Sequence, residues 1–175
     1  MWSVLSLDVS AACTGWCIIH SNSFIKYGTI KTNSKEDSAT RLLSFRQQLI
    51  SILNEYKPTH IIIEDVYSGL NVRTLKLLSE FAGVAKETCK EFTEITPYVI
   101  SNNTVKSYFK VRTKEELFYF VTDIFDNDTW SFKKDNDIVD AIAMCIYYLD
   151  IILGISGFKD TTDYGFIYKN IYKES

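Results

Sequence analysis

Proline is nearly absent from this 175-residue chain, occurring only as Pro58 and Pro97, and glycine appears just seven times. That scarcity excludes a collagenous, linker-like or low-complexity protein. Also missing is any apolar run of the roughly 18 residues that a membrane span needs, so no membrane association is expected. The first residues lack the basic-then-apolar order of a secretory signal, because the apolar stretch is broken at Asp8. A cytoplasmic location, or a host cytoplasm for a phage- or virus-encoded chain, is the expectation. Cysteines are few, and Cys13 and Cys17 have no second cysteine or histidine pair to complete a zinc site. With Cys89 and Cys145 they read as reduced, buried thiols. Charge of one sign is lacking too. A net charge of −3 does not mark a nucleic-acid binder unless acidic residues gather at one place and basic ones at another.

What is present is a regular succession of elements. Residues 2–9 form an apolar strand, and a turn through Ser10 to Gly15 leads to a second strand, Trp16 to His20. A third runs from Phe24 to Thr32, giving an antiparallel meander. Helical periodicity follows from Ala39 to Tyr56, ended by Pro58. A short buried strand, His60 to Glu64, precedes a helix from Val72 to Phe92. On that helix Leu77 and Val84, with Leu70 ahead of it, lie away from the main apolar face and permit a second buried side. Residues 94–100 read as a strand interrupted by Pro97. Asn102 or Asn103 is placed to cap a short helix through Tyr108, and Thr113 with Glu116 forms a capping box for the next. The last helix is expected from Asp137 to about Leu153, with Asn136 before it. This order implies an α/β fold, a mixed five-stranded sheet with helices on both faces. One domain over 1–154 is expected, with 155–175 a C-terminal extension.

Acidic residues stand where they are hardest to explain by folding alone. Asp8 and Glu64 each end an apolar strand, and a buried carboxylate is costly without a compensating cation or hydrogen bonds. Strands ending together bring both within reach of one cation. Asp65 is the competing candidate, but alternation turns it to the opposite face. Asp137 and Asp140 are three apart and share a helical face; placed in a first turn, they would be favoured as anions by the helix dipole. Each acid singly has a bland reading as a turn former or a dipole partner. Together, without histidine or cysteine ligand candidates, they form an oxygen-rich set suited to Mg²⁺ or Mn²⁺ rather than zinc.

Ser6-Leu7-Asp8 followed by Thr14-Gly15-Trp16, then Ile63-Glu64-Asp65-Val66-Tyr67, then Asp137-Ile138-Val139-Asp140-Ala141-Ile142-Ala143 resemble three motifs of the RuvC Holliday-junction resolvases. These belong to the ribonuclease-H-like superfamily. The resemblance covers about residues 2–150. It departs at Val9-Ser10, where family members commonly carry Pro-Gly. It implies that Asp8, Glu64, Asp137 and Asp140 are the catalytic, metal-binding carboxylates. It implies two Mg²⁺ ions per site, with Mn²⁺ able to substitute, and hydrolysis of a phosphodiester by an activated water. It also implies a homodimer making paired, symmetric nicks in four-way DNA junctions, with the helix 72–92 at the subunit interface.

Basic residues cluster at Lys106, Lys110, Arg112 and Lys114, interleaved with Tyr108 and Phe109. The resemblance places Lys106 and Lys114 on DNA, and Tyr67 where an aromatic stacks at the junction centre. Arg73 and Lys76 are further candidates for the substrate strand. A ribonuclease H acting on RNA–DNA hybrids would use the same carboxylates. An actin-like or sugar-kinase-like nucleotide-binding module is the rival from another class, but it needs two such domains and would not require all four acids.

Overall fold

The computed structural model describes residues 2–21, 25–66, 69, 71–125, 127 and 129–155. Strands β1 (Ser3–Asp8), β2 (Cys13–His20) and β3 (Ile25–Lys31) form the meander, followed by α1 (Ser38–Tyr56) and β4 (His60–Glu64). Then come α2 (Val72–Thr93), β5 (Tyr98–Ile100), α3 (Asn102–Tyr108), α4 (Lys114–Ile124) and α5 (Phe132–Tyr147). A single π-turn, Tyr148–Ile152, ends the last helix. The five strands lie in the order β3-β2-β1-β4-β5. The meander pairs antiparallel, while β1–β4 and β4–β5 pair parallel. This is the mixed sheet with helices on both faces that the element order predicts.

Alternation along the central strands sorts the core into two layers. Leu5, Leu7, Ile61 and Ile63 pack with Phe45 and Leu49 of α1 and Phe81 and Ala85 of α2. Val4 and Ile62 face the other way, into a layer with Val105, Leu117, Val121, Val139 and Ile142 from α3, α4 and α5. By the same period Ser6 and Asp8, and Glu64, are directed toward the α5 side. In the parallel register Leu7 stands beside Ile63, so Asp8 and Glu64 follow at neighbouring strand ends. Asp65 is exposed, and its backbone N–H donates to the Ile100 carbonyl at 2.7 Å.

Several boundaries differ from expectation. Helix α5 begins at Phe132, not Asp137, because Phe132 packs edge-on against Phe118 and the Asp135 carboxylate accepts from the Ser131 N–H at 2.8 Å. Asn136 lies within the helix and its amide donates to the Phe132 carbonyl. Asp137 and Asp140 therefore stand beyond the first turn, where the dipole is largely spent. Ser101, rather than either asparagine, caps α3 by accepting from Thr104 N–H. Strand β2 starts at Cys13, so Thr14 and Gly15 are paired residues opposite Ile30 and Thr29 instead of a turn. Leu77 and Val84 pack, partly buried, against the α1–α2 layer; Leu70 lies outside the described residues.

All four cysteines are free thiols, three buried and Cys13 half-buried. Among the described residues no helix is long and apolar enough to cross a membrane. Of the expected extension 155–175, only Ile155 is described; its N–H donates to the Leu149 carbonyl.

Candidate active site

Asp8 closes β1 with only 5% of its surface exposed, and Asp140, in the middle of α5, with 4%. What brings α5 onto the sheet is a set of close backbone approaches. A Cβ added to Gly15 would lie 1.9 Å from the Asp137 carbonyl oxygen, so only glycine lets β2 and α5 meet here. Ser6, two residues before Asp8, donates its hydroxyl to the Ala141 carbonyl at 2.5 Å. The Cys145 thiol donates to the same hydroxyl at 3.2 Å. These contacts hold the strand carrying Asp8 against the helix carrying Asp137 and Asp140.

The loop after Asp8 is closed from within. Thr14 Oγ1 accepts from the Ser10 N–H at 3.0 Å and donates to the Ser10 carbonyl at 2.9 Å. The Ser10 hydroxyl accepts from the Cys13 N–H. Val9-Ser10 thus forms an ordered turn without proline or glycine. Arg41 of α1, buried, supports it from beneath, donating from Nη2 to the Ala11 carbonyl at 2.5 Å and from Nε to Thr32 at 3.1 Å. Its guanidinium lies 5.7 Å from the Phe81 ring centroid.

The structure brings all four predicted carboxylates into mutual electrostatic contact. Asp8 is close enough to hydrogen-bond Glu64, and Glu64 and Asp137 both act on Asp140. Burial first, then the Glu64 carboxylate, pushes the Asp8 carboxyl well above its ordinary value, although Lys114 opposes the shift. Burial likewise raises Asp140 to about 6 against the pull of Lys114. Asp137 is also raised by burial, while a hydrogen bond from Cys13 and the charge of Lys114 work the other way. Carboxyls beyond the first turn, desolvated and crowded, hold protons more tightly than the sequence reading expects.

Lys114, expected to contact DNA, stands within this cluster. Its Nζ lies 2.7 Å from Asp140 Oδ2 and 3.9 Å from Asp8 Oδ2. Burial disfavours its charge, but Asp8, Asp140 and Glu64 together raise its pKa above the ordinary lysine value. Cys13 and Ser6 are the residues the sequence reading missed. Ser6 was legible as sharing a strand face with Asp8; Cys13 meets Asp137 only through the fold. Among the described residues no three acidic, histidine or cysteine side chains are arranged as a ready cation cage. The donor set still fits a hard divalent ion: oxygen ligands only, with anionic forms that lack sufficient positive charge. Arg73, Lys76, Lys110 and Arg112 are exposed and Lys106 is half-buried. Tyr67 lies outside the described residues.

A mixed sheet of this order, with acids at adjacent strand ends and on the helix crossing them, defines a domain of the ribonuclease-H-like class. The family model described as crossover junction endodeoxyribonuclease RuvC matches residues 4–148. The chain is 29% identical over 154 residues to the RuvC of Dictyoglomus turgidum, covering 83% of this chain and 95% of that one. It is 33% identical over 150 residues to the RuvC of Ehrlichia canis, covering 82% and 94%. Among solved structures, Thermus thermophilus RuvC in complex with a Holliday junction substrate superposes with a TM-score of 0.72 at 14% identity. That match covers 88% of this chain and 97% of that one. The chain belongs to the RuvC family of crossover junction endodeoxyribonucleases, whose chemistry depends on divalent metal ions.

Proposed function

We propose that this protein resolves four-way DNA junctions by paired symmetric nicks, using Asp8, Glu64, Asp137 and Asp140 as its catalytic and metal-binding residues. The observation that carries this reading is the meeting of the four carboxylates at the ends of β1 and β4 and on α5, two of them almost fully buried. Crowded, desolvated acids of this kind are stabilised as anions by a bound cation. Mg²⁺, two ions per site and replaceable by Mn²⁺, would supply an activated water and charge stabilisation at the departing 3′ oxygen. The chain's own part is to hold the oxygens at fixed spacing through Ser6, Gly15 and Arg41, and to exclude water from the Asp8 and Asp140 side of the site.

Lys106, Lys110 and Arg112 precede α4, whose first residue Lys114 reaches the carboxylates, and this stretch is the proposed track for the DNA backbone. Arg73 and Lys76 lie on the opening turns of α2, at the end reached from Glu64, and are proposed to meet the second strand. Tyr67 is proposed to stack at the junction centre. A two-fold homodimer would present two such sites to a symmetric substrate. The domain is proposed to span 1–154, with 155–175 as an extension, and to work in the cytoplasm.

The deciding experiment incubates the purified protein with a synthetic four-way junction in Mg²⁺, beside linear duplex and an RNA–DNA hybrid. Paired nicks at symmetric positions, confined to the junction, are expected. Cleavage of the hybrid alone would replace this reading with a ribonuclease H.

A further inference from the structure

Lys114 is the first residue of α4, directly after the Thr113 cap. A cation there opposes the helix dipole; the acids Glu115 and Glu116, in the same turn, have the favourable sign. Helix stability therefore does not account for a lysine at this position. Its contacts do. The ammonium bridges Asp140 on α5 and Asp8 on β1, at 2.7 and 3.9 Å. Among the described residues it is the cation in ion-pair contact with this cluster.

The oxygen that Lys114 holds, Asp140 Oδ2, belongs to the set a divalent ion would need. A hard cation binds carboxylate oxygen at about 2.0–2.1 Å, which would bring it within a few ångströms of the ammonium. Two positive charges so close repel, so lysine and metal compete. The side chain also has a way out, since 43% of it is exposed, and four flexible methylenes let its head swing without backbone movement.

We propose that Lys114 is an exchangeable counter-ion: its ammonium holds Asp8 and Asp140 together before metal binds, weakens metal binding there, and transfers to a DNA phosphate when substrate arrives. DNA binding and metal binding then reinforce each other, and by linkage the coupling acts equally in both directions. The protein is thereby guarded against fully loading its cutting site before a junction is present. This inference rests on the reading of the four carboxylates as the metal site.

Mn²⁺ binding to the DNA-free protein, followed by the electron paramagnetic resonance of free Mn²⁺, tests it without reference to cleavage. Lys114→Met is expected to bind Mn²⁺ on the order of tenfold more tightly than the unmodified protein, within the usual range of coupling between sites. Lys114→Arg, which keeps the charge, should stay weak, and Lys86→Met, on the exposed side of α2, should change nothing. A junction with nuclease-resistant linkages at its centre should tighten Mn²⁺ binding in the unmodified protein and not in Lys114→Met. Equal affinity in Lys114→Met and the unmodified protein would overturn the counter-ion role while leaving the metal site standing, provided Asp140→Asn loses binding. An equal gain in Lys86→Met would reduce the effect to net charge and overturn it as well. Failure of DNA to tighten Mn²⁺ binding would overturn the exchange. If Asp140→Asn binds Mn²⁺ as the unmodified protein does, the metal-site reading itself fails.

Discussion

The Ser6 hydroxyl reaches across from β1 to the carbonyl of Ala141 on α5, at 2.5 Å. Ser6 is two residues from Asp8 and Ala141 directly follows Asp140, so one hydrogen bond sets the spacing of two carboxylates from different elements. Ser6→Ala is expected to lower stability by about 1 kcal/mol, the usual net worth of such a bond. In a chain of this size that is roughly a 2–4 °C loss in Tm. Single-turnover cleavage should slow while junction affinity holds. Unaltered cleavage beside a lowered Tm would make the bond purely structural.

Gly15→Ala tests the meeting of β2 with α5. The new methyl would fall on backbone, the Asp137 carbonyl, which has no flexible end to move aside. A loss of about 1–3 kcal/mol is expected from forced separation, with cleavage falling further because Asp137 is displaced. Urea unfolding and a junction assay read the two effects separately.

Asp8→Asn removes a charge from a buried and crowded site. Cleavage should fall by at least about 100-fold, since several kcal/mol of charge stabilisation depend on the site. The metal-free protein should nonetheless unfold at a higher temperature than the unmodified one, as active-site charges commonly trade stability for function. A lower Tm for Asp8→Asn would contradict the crowding argument.

The raised carboxyls fix the sign of a pH dependence. Asp140 is pushed from an ordinary value of 3.8 to about 6, and Asp8 well upward too. Above the folded-state value these groups destabilise the metal-free fold; as pH falls through it, the folded state takes up protons that the unfolded chain does not. Stability should therefore rise on going from about pH 8 to about pH 5.5, where the folded form holds the extra protons. Calorimetry without metal checks this, and Mg²⁺ added at the higher pH should recover the difference. A Tm that falls steadily on acidification would refute it.

Lys106, Lys110 and Arg112 are expected to act through phosphates. Replacing all three by Gln should weaken junction binding uniformly across sequences and reduce the slope of log affinity against log salt by about 2–3, close to 0.9 per lost contact. Fluorescence anisotropy at several salt concentrations provides the slopes. An unchanged slope would remove this stretch from the DNA track.

Much of the architecture was legible because it rests on neighbours in the chain. Apolar strands ending in Asp8 and Glu64, the two helical periods and the Thr113 cap all use rules that act over a few residues, although Glu116 reaches back to the Arg112 N–H rather than closing a box on Thr113. Strands ending together put Asp8 and Glu64 near one another, and alternation sent Asp65 to the other face. The start of α5 was misread because Asn136 before an acidic pair imitates a cap. The packing of Phe132 on Phe118, from another helix, carries the turn five residues further back. The protonation of the acids was beyond reach for the same reason: it follows from burial and from charges brought together by the fold.

Residue types and local order, with the family resemblance of the three motifs, were thus sufficient to single out the four acids and to predict the sheet on which they stand. Only the tertiary structure decided that Lys114 belongs with them, that Gly15 must be a glycine because Asp137 lies against it, and that Asp8 and Asp140 bind protons strongly. Hydrogen-bonded periodicity is a property of adjacent residues and can be read from their order. Ion pairing and desolvation depend on distance in space, and Lys114 and Asp140 become neighbours only when α4 packs against α5.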